Sequence, residues 1–589
     1  MKKMRRSISL GILGLSAIVL TACGKSDNAN KDETKTAAKF PTQTPKKAAK
    51  QGGTVKIGLG TDTPFAGIFS QELSSDDIDS QVAAPGMESL FDTDDQYQIN
   101  DKGPATMKLD SKRKTITITV KKGVKWSDGQ QVNAKDVEFA YEILANKATN
   151  CPRYGSQFEI INGLKDYHEG KAKTISGIEM PDGERGRKVV IHCKELNPSM
   201  TNNGNRYFWN MAEPYHYLKD VPFKELKSSD KIRKKPLFYG AFKVSKVVRG
   251  QSVTWVPNEY YWRGKPKLDK IVISVVSPNS TSQAIKSHKF DVMKVVNTQW
   301  NQVKDTKKVN FVAQIPLNYH YLAFKVGKWD KKQGKNVENP QAKMNNKSLR
   351  QAIGYGMNVD AVNKRYTKGL TFRVPTLIPE QFGDYFDKKA KGYNHNLKKA
   401  NQLLDKAGYK KKGKWRVQPN GKSLTINLAA MSGDSTQEPI IENYLQQWHK
   451  LGLNVKLTDG RLIEHNSFYD KVQNDDPAVD MFIGGWSMPS EPSPQTYYGE
   501  EAPFNMSRFV SDKNNQLLDE INSQKAFDHK YRVKKFHEWQ EYMNDQAYVI
   551  PIDNSYQIMA LNDKLTGYSV KPSKSNNYQP LWYQVGYAK

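Results

Sequence analysis

Short motifs typical of hydrolytic enzymes are the first candidates for chemistry in this sequence. Ser228–Lys231 matches S-x-x-K and Ser26–Asn28 matches S-D-N, two motifs that place a serine nucleophile beside groups that activate it. No K-T-G motif follows them, and the sequence contains neither a G-x-S-x-G turn nor an H-E-x-x-H helix. Matches this short arise by chance in a chain of 589 residues. We therefore predict that the protein is not an enzyme, with a secreted hydrolase as the alternative.

Carboxylates and thiols do not indicate a cofactor site. Asp92, Asp94 and Asp95 resemble the start of a calcium loop, but the glycine and the final glutamate of such a loop are absent. The ten histidines are scattered and no C-x-x-C motif occurs, so we predict no metal and no cofactor. Cys151 and Cys193 could form a disulfide in an oxidising compartment or remain free thiols, because their separation in sequence does not decide between the two.

The N-terminus has the composition of an export signal. A basic segment, Lys2–Arg6, precedes the apolar run Ile8–Leu20, which is too short for a spanning helix because that needs about 20 residues. The run ends in the sequence L-T-A-C, which resembles the lipobox of bacterial lipoproteins. We expect a signal peptide over residues 1–22, lipidation (palmitate) of Cys23, and a flexible tether over residues 23–50, since these residues include few large apolar side chains.

The formal net charge of +29 raises the question of nucleic acid. Lysine and arginine are spread along the whole chain, however, and neither zinc-finger spacing nor an aromatic RNA-binding signature occurs. We therefore predict no nucleic-acid partner. Compatibility with an anionic membrane surface and wall polymers outside the cell is the use of this charge that we expect.

Strand-like and helix-like segments alternate from Gly52 onward. Thr54–Leu59 and Thr115–Val120 alternate as half-buried strands do. After a turn at Ser127–Gly129, the side chain of Asn133 can cap a helix that starts there. Apolar residues at helical spacing predict further helices: Leu349, Ala352, Ile353 and Met357; Ala400, Leu403, Leu404 and Ala407; Ile441, Leu445 and Trp448. This mixture predicts an α/β fold with several sheets.

Four groups of segments carry a resemblance to a known family. They are Gly123–Gln130 with Asn133–Val137; Tyr239–Val244 with Asn258–Trp262 and Lys265–Asp269; Leu349–Ile353 through Lys368–Gly369; and Leu403–Tyr409. In this order, behind a lipobox, they resemble the extracellular solute-binding family of oligopeptide importers, the oligopeptide-binding lipoproteins. The resemblance spans about residues 51–560, and Thr63–Ser70 is similar to the subgroup from Gram-positive bacteria.

The resemblance implies a two-lobed α/β fold of the periplasmic-binding-protein type (type II, cluster C), with an extra subdomain in the first lobe. Lobe I would then span residues 51–305 and 550–589, its inserted subdomain about 95–230, and lobe II 306–549. Two crossings of the chain would join the lobes. Val549–Ile552, a short apolar run with a proline inside it, is typical of an element edge or a crossing.

The segment Asp480–Pro492 is the predicted binding segment. It begins as a mostly apolar strand that ends in two glycines, where a second backbone can approach closely, and Trp486 then offers a flat apolar wall. In the family that it resembles, this strand and the loop after its tryptophan contact the main chain of a bound peptide. We therefore predict that Gly485, Trp486, Ser487 and Met488 bind the ligand. The alternative is a core strand with a buried tryptophan.

The resemblance suggests two further parts of the site. Many relatives have an aspartate three residues after this tryptophan that binds the terminal ammonium of the peptide, whereas here that position is Pro489. Glu491 is the nearest acid, so either it binds the ammonium or the site accepts longer peptides in several registers. The opposing wall of the family site corresponds here to Phe69, Ser70, Glu72 and Leu73.

A function follows from the resemblance. A protein that accepts many peptides must bind the backbone amides that all peptides share, and pairing the ligand as an added strand does this. Closure of the lobes then buries the ligand. We expect a monomeric peptide-binding component of an ABC importer that delivers oligopeptides to the permease and its ATPases, and is lipid-anchored on the extracellular face of the cell membrane of a Gram-positive bacterium. A pheromone or other small-ligand receptor, or a surface adhesin, on the same scaffold is the alternative.

Overall fold

The computed structural model describes residues 40–75, 77–433, 435–576 and 579–589. The predicted signal peptide and the predicted lipidation site Cys23 lie outside the described residues. In the part of the chain that is described, no helix is long and apolar enough to cross a membrane. In the same part, no three His, Cys, Asp or Glu side chains are grouped so that they could hold a metal ion.

A seven-stranded mixed sheet, the first sheet, is built from both ends of the described chain. Its strands, in spatial order, are Val309–Gln314, Gln557–Asn562, Val292–Lys294, Thr54–Gly60, Lys270–Val276, Ser252–Pro257 and Phe242–Val248. Thr54–Gly60 pairs in parallel with Lys270–Val276. Because side chains alternate along each strand, one set, including Val55 and Trp255, lies fully buried in a common core.

A six-stranded sheet, the second sheet, uses the chain between the two parts of the first. Its strands, in spatial order, are Thr371–Arg373, Val549–Ser555, Asn318–Phe324, Met481–Ser487, Thr425–Ala430 and Asn454–Leu457. The longer helices that contribute to the same hydrophobic core are Lys347–Gly356, Val359–Tyr366, Leu397–Lys406, Gln437–Lys450, His465–Gln473, Asp512–Asn522 and His529–Gln546. Residues 321–324 and 481–484 of the two central strands are all buried, as expected where a sheet is covered on both faces.

The helical stripes predicted from the sequence face this core. Leu349, Ala352 and Ile353 are fully buried on helix Lys347–Gly356, which confirms that prediction. Gly408 follows the end of helix Leu397–Lys406 with a φ of +84°, the left-handed conformation that a glycine at this position adopts without strain.

A four-stranded antiparallel sheet forms a separate module, which we call the inserted module. Its strands, in spatial order, are Ala105–Asp110, Thr115–Val120, Lys188–His192 and Ile178–Glu179. Helix Ala134–Ala145 joins the same core and begins with a capping box between Asn133 and Asp136. The predicted strand and N-cap in this region are therefore confirmed. The core of the module draws on residues between Leu90 and Tyr239.

Short elements complete the described chain. The remaining α-helices are Asp77–Ala83, Leu164–His168, Tyr215–Leu218, Phe223–Leu226, Asp230–Arg233, Thr281–Lys286, Trp300–Val303 and Gln495–Tyr498. Two-stranded ladders join Gly327–Asp330 to Lys335–Glu338, Lys411–Lys412 to Trp415–Arg416, Asp92–Thr93 to Ile99–Asn100, Leu565–Thr566 to Gly586–Tyr587, and Ser575–Asn576 to Gln579–Pro580.

The chain changes from one sheet to the other twice. It leaves the first sheet after Gln314 and enters the second at Asn318, and it returns between Ser555 and Gln557. Both crossings lie farther along the chain than the boundaries expected from the sequence, 305/306 and 549/550. Each crossing lies later because the strand before it still belongs to the earlier sheet: Val309–Gln314 pairs within the first sheet, and Val549–Ser555 pairs within the second.

Of the two interpretations of the run around Pro551, an edge or a crossing, the structure contradicts the edge, whereas the strand that contains the run leads directly into the second crossing. Val549–Ser555 is an interior strand of the second sheet, between Thr371–Arg373 and Asn318–Phe324. The register of the pairing between Val549–Ser555 and Asn318–Phe324 shifts where Pro551 lies opposite Tyr321. A bulge of this kind tolerates proline, because the ladder is already interrupted where the N–H is missing.

The end of the predicted tether packs on the folded chain. Residues 40–50 were expected to be flexible, but the Thr44 N–H donates a hydrogen bond to the Tyr568 carbonyl at 2.9 Å. The ring of Phe40 also packs against Trp300, with centroids 5.4 Å apart. Backbone pairing and one large aromatic side chain are enough to order this segment, so the prediction was wrong for residues 40–50.

The structure also decides between the two alternatives for the cysteines. Cys151 and Cys193 are free thiols. The Cys151 thiol donates to the carbonyl oxygen of Glu72 at 3.0 Å. Cys193 lies in the core of the inserted module, where burial raises the pKa of its thiol to about 12.

Candidate functional site

The strand Met481–Ser487, which we call the site strand, has one edge that is only partly paired. Along its first edge it pairs with Asn318–Phe324 over its full length. Along its second edge, pairing with Thr425–Ala430 stops at Ile483. Within the described residues, no strand therefore pairs with the second edge from Gly484 to Ser487.

Backbone carbonyls on this unpaired edge are held only by long contacts. Alternate residues of an antiparallel pair direct their N–H and C=O groups to the same side. The carbonyls of Gly485 and Ser487 point away from the paired strand and accept hydrogen bonds from the hydroxyls of Tyr469 and Tyr497, at 3.4 and 3.3 Å. These contacts are longer than the roughly 2.7–2.8 Å that is common for O–H···O bonds, so a better donor can replace them.

Four aromatic side chains form an aromatic wall beside this edge: Tyr321, Trp486, Tyr497 and Phe504. Trp486 stacks on Tyr321 with centroids 5.7 Å apart and 20° between the planes, and it contacts Tyr497 at 4.8 Å and Phe504 at 5.8 Å. Trp486 is half-buried and Phe504 is 41% exposed, so the wall presents apolar surface. The indole Nε1 of Trp486 is buried without a hydrogen-bond partner in the described structure.

The two glycines of the site strand are required by close neighbours. A Cβ at Gly484 would lie 3.0 Å from the Tyr321 hydroxyl, and one at Gly485 would lie 3.2 Å from Cδ2 of His320. His320 lies opposite Gly485 on the neighbouring strand, and its Nδ1 is 2.8 Å from Oδ1 of Asp553. His320 was not among the residues predicted from the sequence. The signal for it is a histidine between two tyrosines at the start of a central strand.

Ser487 and Met488 differ in exposure although they are adjacent. Ser487 is exposed at the end of the site strand. Met488 is 8% exposed, belongs to the core of the second sheet, and donates its N–H to the Leu317 carbonyl at 2.7 Å. Of the four residues predicted here, Met488 therefore offers the least surface to a ligand.

Glu491 is buried, and its carboxylate is used inside the protein. It is 7% exposed and accepts a hydrogen bond from the Ser493 N–H at 2.8 Å. Burial raises the pKa of Glu491, while hydrogen bonds from Ser493 and Ser199 and the positive charges of Arg532 and Arg206 oppose the rise. Because the Glu491 carboxylate has these partners inside the protein, a structural role explains its burial, and no ammonium group of a ligand is needed to explain it.

The loop after the site strand touches the inserted module. The Asn202 side chain donates to the Ser490 carbonyl at 3.2 Å, and the Arg532 guanidinium donates to Oγ of Ser199 at 2.8 Å. Asn202 and Arg532 are both buried. Separation of the inserted module from this loop and from helix His529–Gln546, which carries Arg532, would have to break these contacts.

Phe69 and Leu73, predicted for the opposing wall, are core residues. Phe69 is 3% exposed and packs edge-on against Phe238 and Trp255, with centroids 6.5 and 6.2 Å away. Leu73 is fully buried in a small core that includes Ile68. Packing has taken up both side chains, so they leave no surface for a ligand.

Ser70 and Glu72, the other two residues of that predicted wall, belong to a buried polar cluster. The Ser70 hydroxyl donates to one carboxylate oxygen of Glu72 at 2.9 Å, and the Trp209 indole N–H donates to the other at 2.5 Å. Burial and the neighbouring charge of Glu72 raise the pKa of Glu213. The cluster links this segment to the inserted module. In the structure, Gly485–Met488 and the loop that leads to Glu491 therefore lie together. Phe69–Leu73 instead makes its contacts in the hydrophobic cores and in this polar cluster.

Arg206 and Tyr207 of the inserted module lie near the loop that follows the site strand. Neither residue was predicted from the sequence to belong to the site. The positive charge of Arg206, which is exposed, opposes the burial that raises the pKa of Tyr497 to about 12. Burial and the charge of Glu491 raise the pKa of Tyr207. An arginine directly before three aromatic residues, at 206–209, is the pattern that indicates them.

A cavity of about 80 Å³ lies where the loop meets the rest of the protein. Its lining includes Ser490 of the loop, Asn203 and Asn210 of the inserted module, and Glu88 and Ser89. Sites for small ligands usually enclose about 300–1,000 Å³. The cavity is therefore too small for a peptide in this arrangement of the chain.

Comparison with known proteins places the chain among solute-binding proteins. The family described as bacterial extracellular solute-binding proteins, family 5 middle, matches residues 103–507. The oligopeptide-binding protein OppA of Lactococcus lactis subsp. lactis is 38% identical over 596 aligned residues, which cover 100% of this chain and 98% of OppA. The oligopeptide-binding protein AppA of Bacillus subtilis (strain 168) is 23% identical over 99% of both chains.

Solved structures agree with this comparison. Lactococcal OppA complexed with an endogenous peptide in the closed conformation superposes with a TM-score of 0.75 at 38% identity, covering 91% of this chain and 100% of that one. AppA from Bacillus subtilis in complex with a nonapeptide gives a TM-score of 0.65 at 20% identity, covering 92% and 100%, which is a likeness of fold. The predicted two-lobed fold is confirmed, as is the prediction of a solute-binding protein in preference to an enzyme. The chain belongs to the bacterial extracellular solute-binding protein family 5.

Proposed function

We propose that this protein captures oligopeptides outside the cytoplasmic membrane and delivers them to the permease and ATPase subunits of an ABC importer. The unpaired edge Gly484–Ser487 beside the aromatic wall carries the proposal. A strand edge binds the backbone that all peptides share, and so it accepts many sequences. The lactococcal relative at 38% identity, an oligopeptide-binding protein, supports the same class of ligand.

The peptide would lie along the unpaired edge as an added strand. Its N–H groups would replace the tyrosine hydroxyls at the carbonyls of Gly485 and Ser487, each bond contributing about 0.5–1.5 kcal/mol net. Ligand side chains would alternate between the face with the aromatic wall and the opposite face. The Nε1 of Trp486, a buried donor without a partner, would then find an acceptor on the ligand or on a bound water.

The two sheets would be the bodies of the two lobes. We assign lobe I to the first sheet with the inserted module, lobe II to the second sheet, and the hinge to the crossings near residues 315–317 and 556. The contacts of Asn202 with Ser490 and of Arg532 with Ser199 would hold the lobes together. Since these contacts join the two lobes beside the loop that follows the site strand, we expect the lobes to separate for entry of the ligand.

The ends of the peptide would not be fixed by a charged anchor. Pro489 stands where an ammonium-binding aspartate would be expected, and the carboxylate of Glu491 already has partners. Affinity would then come from the main chain and the aromatic wall. Peptides of several lengths and registers, with free or blocked N-termini, would bind.

Lipidation of Cys23 would hold the monomeric protein at the outer face of the membrane. The export signal and the L-T-A-C sequence support this assignment. Residues 40–50 pack on the folded chain, so they would not belong to the tether. An anchored protein stays near the permease in the same membrane, which raises its effective concentration there.

Mass spectrometry of the mature protein, purified without denaturation, tests the proposed function. We expect bound peptides of mixed sequence and length that are released on unfolding, and binding of a random peptide mixture after refolding. Gly484→Val, which adds a side chain where a Cβ would already be 3.0 Å from the Tyr321 hydroxyl, should carry less peptide. A folded protein with neither bound peptide nor affinity for the mixture would refute the proposal.

A further inference from the structure

We propose that His320 is a specificity-determining residue that favours a negatively charged group on the bound ligand, and that Asp553 positions it. This inference rests on the proposed function, because the ligand in question is the peptide strand at the unpaired edge of the site strand. The inference adds a preference for the charge of the ligand to a site that otherwise binds the main chain and the apolar surface of the peptide.

The position of His320 comes from a row of residues across the second sheet. Gly485, His320, Asp553 and Arg373 lie opposite one another on four neighbouring strands. Directly opposed residues point to the same face of a sheet, and Trp486 and Tyr321, at alternate positions, point to the other. Because Gly485 has no side chain, nothing on the site strand separates the imidazole of His320 from the unpaired edge.

The imidazole is open to solvent on the side away from its partner. The His320 side chain is 58% exposed, and its Nδ1 is 2.8 Å from Oδ1 of Asp553. This contact orients the ring and leaves Nε2 as the nitrogen available to a ligand. In the neutral ring with its proton on Nδ1, Nε2 is an acceptor, whereas in the protonated ring it is a donor that carries positive charge.

The groups around the ring favour its protonated form. Desolvation favours the neutral imidazole, but the hydrogen bond and the negative charge of Asp553 outweigh it and raise the pKa of His320 above 6.5. The other cation of the row, Arg373, lies beyond Asp553 and directs its Nε to Asp360 at 3.4 Å. Arg373 therefore does not compete for the edge at Gly485.

Two tyrosines face the same region from the helices packed against it. Burial and the charges of Asp553 and Asp360 raise the pKa of Tyr444, and burial raises the pKa of Tyr469, whose hydroxyl contacts the Gly485 carbonyl. Both phenols are neutral at physiological pH.

The group that His320 would attract is a carboxylate, either of a Glu or Asp side chain at the ligand position beside Gly485 or of the peptide C-terminus.

Isothermal titration calorimetry with matched peptides tests the charge preference. The probes are heptapeptides of alanine and serine, acetylated and amidated, with one Glu or the isosteric Gln at each position in turn. At pH 5.5 we expect one position at which Glu binds about fivefold to tenfold more tightly than Gln, the difference between a charge-assisted and a neutral hydrogen bond. At pH 8.5 the ratio should approach one. A parent peptide with a free C-terminus separates a terminal from a side-chain carboxylate.

Three variants assign the preference to this ring. His320→Gln should bring the Glu/Gln ratio to about one at both pH values. Asp553→Asn should keep the preference but move its loss to lower pH, the behaviour of a positioning residue. His216→Gln is the matched control, because His216 lies 2.8 Å from Asp128 in the inserted module, and it should retain the wild-type ratio.

The outcomes separate this inference from the proposed function. If the neutral parent binds but no position prefers Glu, or if the ratio in the unmutated protein is the same at both pH values, His320 does not read charge. Retention of the ratio in His320→Gln has the same meaning. If no peptide of the series binds to the folded protein, the proposed function fails first and this inference fails with it.

Discussion

The segments Gly484–Met488 and Phe69–Leu73 both contain residues that were predicted to contact one ligand, but they leave very different groups available. Among the residues that the structure describes, Gly484–Ser487 has a strand edge without a strand partner and a half-buried tryptophan with an unsatisfied N–H. In Phe69–Leu73, the two apolar side chains lie in cores, and Ser70 and Glu72 hydrogen-bond to each other. Both segments are mixtures of apolar and polar residues, so composition does not distinguish them.

This difference shows that a binding segment is recognised by the hydrogen-bonding groups and the apolar surface that packing leaves without a partner. Buried backbone and polar groups nearly always have partners, so a free edge beside an open apolar surface indicates a missing partner. The side chains of Phe69, Ser70, Glu72 and Leu73 are all engaged within the protein, so these four residues support the site only by holding the scaffold. Four substitutions can sharpen or break this contrast, and they follow from the largest expected effect to the smallest.

Leu73→Ala should lower the free energy of unfolding by about 2–5 kcal/mol, the usual cost of a cavity in a packed core. Leu73 is fully buried, so peptide affinity of the folded protein should stay within about twofold. Urea unfolding and calorimetric titration measure the two quantities. A large loss of affinity with little loss of stability would return Leu73 to the ligand site.

Trp486→Ala should weaken peptide binding by about 1–3 kcal/mol, because it removes the central ring of the aromatic wall. The measurement is titration with peptides identified by mass spectrometry. Trp415→Ala is the matched control, a half-buried tryptophan that packs against His449 outside the wall. Equal affinities for both variants would remove Trp486 from the site.

Glu491→Gln should change stability at neutral pH by about 1 kcal/mol or less, because glutamine can keep the hydrogen bond from Ser493. Burial raises the pKa of Glu491, so the folded protein holds this proton more tightly than the unfolded chain does. The contribution is favourable below the ordinary pKa of 4.5 and is lost as pH rises through the raised pKa, so the variant should flatten this part of the stability profile.

The same variant tests the role in ammonium binding that the sequence left open for Glu491. Free and N-acetylated forms of one peptide should bind Glu491→Gln with the same ratio of affinities as they bind the unmutated protein. A selective loss for the free form would show that the carboxylate reaches the ligand and that its internal contacts exchange on binding.

Tyr469→Phe should have the smallest effect, a gain in affinity of about 0.5 kcal/mol or less. The variant removes a long hydrogen bond to the Gly485 carbonyl that a ligand N–H would displace. Calorimetric titration against Tyr366→Phe, a tyrosine on another helix, gives the comparison. Weaker binding by tenfold or more would mean that the hydroxyl contacts the ligand instead of holding its place.

Much of the fold could be predicted, because local patterns and local structure agree. The strand at Thr115–Val120, the cap at Asn133 and the stripe on Lys347–Gly356 follow from alternation, capping and helical period, and the structure has all three. Lobe boundaries were less accurate because strand membership depends on a partner hundreds of residues away. Val309–Gln314 reads as a strand in either sheet until Gln557–Asn562 pairs with it.

The candidate site divides in the same way. The Gly-Gly-Trp pattern indicated the segment correctly as a strand end with an exposed aromatic neighbourhood, whereas the burial of Phe69 and Leu73 could not be read from their types. His320 was missed because its importance lies in the residues across from it. Gly485 and Asp553 are far from His320 in sequence and adjacent to it in the sheet.

The sequence by itself indicated the class of the chain, through an N-terminal segment that resembles an export signal, an α/β pattern, and a glycine pair before a tryptophan. These properties reside in neighbouring residues, whose spacing decides how they behave. Only the tertiary structure decided which strand edge stays unpaired, which carboxylates are already engaged, and which ring lies over Gly485. Hydrogen-bond partners and burial depend on contacts between distant segments, and those contacts exist only once the chain has folded.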